Sequence, residues 1–195
     1  ETGGEEGGNV TPASRPIADL GAALPKNNPC SILGDEEDLV RRSQSWLRRE
    51  GGIDDIQLRL RALGLLARAE DETGTSVFGD GVTVLVTAKR AGRLNPRFET
   101  YLGSRIEDAL PRELLRERLS AAFEPVMTSN QRAGQILSYY QAAVNAEALE
   151  RLSRDMTTVA LLAELTSTQG AIALVEQTRS PEDMRRALLV TRAGG

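Results

Sequence analysis

The chain has 195 residues, 40% hydrophobic and 27% charged but only 4% aromatic, with a net charge of −4. A core of that composition is built from Leu, Ala, Val and Ile, which favours packed helices. The acidic balance argues against a nucleic-acid partner, whose phosphates draw affinity from clustered Lys and Arg, and no apolar run approaches the roughly 18 residues needed to cross a bilayer.

The opening ETGGEEGGNVTPAS lacks an initial methionine. It fits a processed mature chain or a start left by a cleaved vector export signal, and leans weakly toward a secreted or extracytoplasmic protein. Residues 1–34 are rich in Gly and Pro and poor in large apolar side chains, the composition of an arm too polar to offset its ordering entropy. Ile17, Leu20 and Leu24 offer at most one amphipathic turn, and Ile32-Leu33 are placed to staple the arm to the body. Cys30 stands alone, so no intrachain disulfide exists. It is an inert thiol, a disulfide partner for another chain, or a nucleophile, and the second reading makes it the candidate interchain contact.

The body, residues 35–195, starts at GDEEDLVRRSQSWLRREGG, with Asp35 as cap, acidic residues complementing the helix N-terminus and Gly51-Gly52 as stop. Leu39, Val40, Trp46 and Leu47 form its apolar face, with Trp46 a core anchor. A second helix over 54–70 sets Ile56, Leu60, Leu63 and Ala67 on one face and Arg59, Arg61 and Arg68 elsewhere, giving a helical hairpin.

Thr75–Arg90 reads TSVFGDGVTVLVTAKR. Val82, Val84 and Val86 alternate with Thr83, Leu85 and Thr87, and Gly79-Asp80-Gly81 carries turn chemistry, so the local expectation is a β-hairpin over about 75–90. Two strands alone are marginal in water. The hairpin must be covered by the helices or lend its edge to another chain, and the latter makes Val82, Val84 and Val86 candidate interface residues.

Further on, Asn95-Pro96 opens a helix, Pro111 restarts one, and Thr128-x-x-Gln131 has capping-box spacing. No proline then interrupts the chain before Pro181, so Ile136, Leu137, Tyr140, Val144, Leu152, Met156, Val159 and Leu162 read as one stripe on a long helix, bent or split near Thr166–Gly170. Ser180-Pro181-Glu182-Asp183 announces the last helix. Tyr139 falls beside the stripe and is a candidate partner contact.

With no histidine and one cysteine, His-dependent triads, His-ligated zinc or haem and CxxC motifs are impossible. Asp35–Asp38 lack calcium-loop spacing, and Glu147, Glu150 and Glu164 lack the Glu-x-x-His of carboxylate metal sites. The expected fold is mainly α, a bundle of five or six helices with one inserted β-hairpin and a flexible N-terminal arm. By elimination, the expected function is a non-catalytic binding or assembly module without a cofactor. It would contact a protein partner or a second copy of itself through helix faces or the hairpin edge. Two alternatives stay open: a ligand-sensing bundle with a small molecule beside the long helix, and a hydrolase using two carboxylates buried together.

Overall fold

The computed structural model describes residues 32–70, 76–124 and 126–194, so Cys30 and nearly all of the arm lie outside the described residues. Leu33 is buried and Ile32 packs on the core, as a staple requires. Among the described residues nine principal helices follow in order: α1 (Glu36–Leu47), α2 (Asp55–Glu70), α3 (Val77–Arg90), α4 (Pro96–Ala109), α5 (Arg112–Phe123), α6 (Ser129–Gln141), α7 (Ala146–Leu165), α8 (Thr168–Gln177) and α9 (Pro181–Gly194). The helical class stands, with more and shorter helices than expected.

The β-hairpin does not. Residues 77–90 form α3, capped by Ser76, whose side chain accepts from the Gly79 amide. Asp80 sits in its first turn and Lys89 and Arg90 in its last, both favourable to the helix dipole. The alternation misled because α3 lies among α2, α7 and α8 and is buried on nearly every side. A helix apolar all round carries no amphipathic period, and a short apolar run cannot be told from a strand by periodicity alone. Gly79-Asp80-Gly81 serves packing instead of a turn. A Cβ on Gly81 would lie 2.1 Å from the Met156 carbonyl oxygen, so α3 and α7 meet at backbone distance.

α2 departs from its expected amphipathic pattern for the same reason. Every residue from Leu58 to Gly64 is buried, including Arg59 and Arg61. Gly64 makes room for neighbours here, since a Cβ would lie 3.0 Å from Leu33 Cδ1 and 3.2 Å from Val82 Cγ1.

The long helix splits earlier than its glycines suggest. α6 ends at Gln141, and Asn145 caps α7 by accepting from the Ala148 amide while its own amide donates to the Ala109 carbonyl at 2.8 Å. The second break falls at Thr166-Ser167, within the expected region. The Thr128–Gln131 capping box forms in both directions.

Two helix ends share one hydrogen-bond pattern. Gly92 and Arg93 amides close α3 onto Lys89 and Ala88 carbonyls at 3.0 and 2.9 Å; Arg49 and Glu50 amides close α1 onto Trp46 and Ser45 carbonyls at 3.1 and 2.8 Å. Such an end places its closing residue in the left-handed region, where glycine is favoured. Gly92 meets that demand at φ +67°, whereas Arg49 occupies φ +58° with a full side chain.

Candidate functional site

The hairpin-edge residues are not at a surface. Val82 and Val86 are fully buried and Val84 is 3% exposed, all inside α3. They are core, because a central helix has no face left for a partner. Tyr139 on α6 is half-buried against the core, and its hydroxyl donates to Gln135 Oε1 at 3.0 Å. The carboxylates nominated from sequence are scattered. Asp35 caps α1, Asp38 pairs with Arg41 and Arg42, and Glu147 and Glu150 make i,i+4 pairs with Arg151 and Arg154 on the outer side of α7.

The interior holds polar groups, among them Arg59, which the sequence reading set off the apolar face, and Tyr140, which it placed on the apolar stripe. Arg59, 1% exposed, binds Asp55 and donates to Glu107 Oε2 at 2.6 Å and the Leu110 carbonyl at 2.9 Å. Two carboxylates thus converge on one guanidinium. Burial alone would raise Glu107, but the Arg112 amide and Arg59 outweigh it and hold the carboxyl below its ordinary range. The Tyr140 and Ser43 hydroxyls share a 2.8 Å hydrogen bond, and burial pushes the phenol well above its usual value. Lys89 binds both Glu99 and Asp54, and those partners outweigh burial and raise the ammonium. Tyr101 donates to the buried Asp155 at 2.6 Å and accepts from Arg105 Nε at 2.9 Å. Burial and then Asp155 raise that phenol. The missed signal was Asp55/Arg59 at i,i+4, a spacing that suggests a pair without revealing its burial.

Among the described residues, two clefts combine apolar walls with polar groups. One, of about 170 Å³, is lined by Leu63, Leu66, Phe78, Val144 and Leu149, with the exposed Glu70 and Gln141 hydrogen-bonded at 3.1 Å beside it. It lies where α2, α3, α6 and α7 come together. The other, of about 240 Å³, is lined by Trp46, Arg49, Glu50, Gly52, Ile53 and Arg116. Among the described residues no group of His, Cys, Asp and Glu is arranged to hold a metal ion, and no helix is long and apolar enough to cross a membrane. No family model matches the chain, and comparisons with curated proteins and with solved structures return no match.

Proposed function

We propose that this chain is a non-catalytic binding module whose cleft between α2, α3, α6 and α7 receives an apolar side chain from a partner protein. The observation that carries the reading is the composition of that cleft. Leu63, Leu66, Phe78, Val144 and Leu149 surround space that the described residues leave open, while Glu70, Gln141 and Ser153 supply polar groups beside it. Interfaces concentrate their energy where one large side chain enters such a desolvated pocket inside a polar rim. Asp55 and Glu107 meet at Arg59 and Asp54 and Glu99 meet at Lys89, so each carboxylate pair is separated by a cation. That pairing supports binding over two-carboxylate hydrolysis, which needs neighbouring acids whose environments push their pKa values apart.

Selection from a displayed peptide library tests the proposal. Ala67 also lines the cleft, so recovered peptides should share one large apolar residue and lose binding to Ala67→Phe, which fills the cleft, while that variant keeps its helical circular dichroism. Enriched peptides that bind Ala67→Phe undiminished contradict it, as does failure to enrich any peptide.

The cleft volume favours a second reading, a sensor of a small apolar ligand, because an apolar cavity of about 150 Å³ accommodates benzene. A thermal-shift series of small aromatics separates the two: stabilisation abolished by Ala67→Phe supports the sensor, and a flat series removes it.

A further inference from the structure

The 240 Å³ cleft at the α1–α2 turn carries a different chemistry. Its inner wall is the ring of Trp46, 7% exposed, with the Arg116 guanidinium stacked over it at 5.1 Å. Arg116 Nε is buried without a hydrogen-bond partner among the described residues. Arg49 stands at the same cleft, exposed, with no ion pair among the described residues, and it holds the left-handed position that glycine fills at the matching end of α3. Gly51 and Gly52, at φ +68° and +58°, show that this turn uses glycine freely where the backbone demands it. An arginine kept at a strained position beside a cleft runs from an observed outlier to a function. Glu50 also lines the cleft but pairs with neither arginine among the described residues, so the named lining charges favour an anion by two to one.

We propose that this cleft binds a flat organic carboxylate, its carboxyl group held between Arg49 and Arg116 and its apolar body laid against Ile53 and the stacked Arg116–Trp46 pair. Guanidinium groups match carboxylate geometry and stack on planar groups, which an ammonium does not. The volume exceeds the roughly 150 Å³ that admits benzene. The site is separate from the apolar cleft and stands whether or not that cleft is occupied.

Trp46 is the only tryptophan in the chain, so its emission reports this site alone. Sodium benzoate titrated into the full chain at constant ionic strength should give a saturable change in that emission, which sodium acetate or chloride does not reproduce. Arg49→Gly should move two readouts in opposite directions: a higher melting temperature, because the turn is relieved, and at least tenfold weaker benzoate binding. Arg116→Lys, which keeps the charge and loses the plane, should also weaken binding. The proposal is overturned by an unsaturable or absent response to benzoate, by an equal response to chloride or acetate, or by Arg49→Gly binding benzoate as the parent does.

Discussion

Gly81 of α3 and Gly134 of α6 both lie inside helices, and they sit in opposite surroundings. A Cβ at Gly81 of α3 would lie 2.1 Å from the Met156 carbonyl oxygen, whereas one at Gly134 of α6 would meet nothing within 4 Å. In α3 the missing side chain lets two backbones touch; in α6 it only lowers helix propensity. The difference shows where the architecture is intolerant: the packed centre formed by α2, α3 and α7, in contrast to the open side of α6. Charged residues divide by burial even within the central helices. Arg59 on α2 is held by two carboxylates and a carbonyl in the interior, while Arg151 and Arg154 on the outer side of α7 make exposed helical pairs.

The contrast breaks most visibly at Arg59. Arg59→Ala removes the cation that Asp55 and Glu107 share and should cost about 3 kcal/mol, the lower end of the range for breaking a buried pair, because Asp55 keeps Arg112 and Glu107 is half-exposed and keeps the Arg112 amide. Equilibrium urea unfolding measures it, and a loss below about 1 kcal/mol would place Arg59 among the exposed pairs. Gly81→Ala follows, at about 3 kcal/mol, the upper end for overpacking, because the obstacle is a backbone atom that cannot rotate away. A smaller effect concerns acid. Burial alone would raise Asp38, but Arg42 and Arg41 outweigh it, and Glu107 is lowered too, so both carboxyls titrate below their unfolded values. Their contribution is present above the unfolded pKa values of about 4 and is lost as pH falls through the folded ones. With no histidine in the chain, melting temperature should stay level from about pH 5.5 to 8 and drop below about pH 4. The smallest change has the opposite sign. Gly134→Ala should stabilise by about 0.5–1 kcal/mol, the ordinary helix preference for alanine, in the same urea assay. Should Gly81→Ala and Gly134→Ala shift stability alike, the distinction between centre and open side is wrong.

Helix ends were legible in the sequence because caps are local chemistry. Asp35, Asn95 and Thr128 act where their spacing placed them, through side chains that reach amides two or three residues ahead. Burial was not legible, since it depends on residues far along the chain. Val82, Val84 and Val86 look like one face of a strand until α2, α7 and α8 surround them. Arg59 looks like a solvated residue until Glu107 and the Leu110 carbonyl arrive from the end of α4. The break at Asn145 was not legible, because no glycine or proline stands beside it and the apolar stripe runs on through Val144 and Leu152. For the candidate sites, Trp46 was recognisable as a core anchor and Arg49 was not recognisable at all, because its left-handed backbone is a property of the folded helix end.

The central claim is that residues 77–90 form a helix at the centre of the bundle. Backbone NMR of the full chain tests it directly through carbon chemical shifts and amide exchange from Val77 to Arg90. The account predicts continuous helical shifts, with the Val82–Ala88 amides among the slowest to exchange. Strand-type shifts on either side of a turn at Gly79–Gly81, or rapid exchange across Val82–Val86, would contradict it.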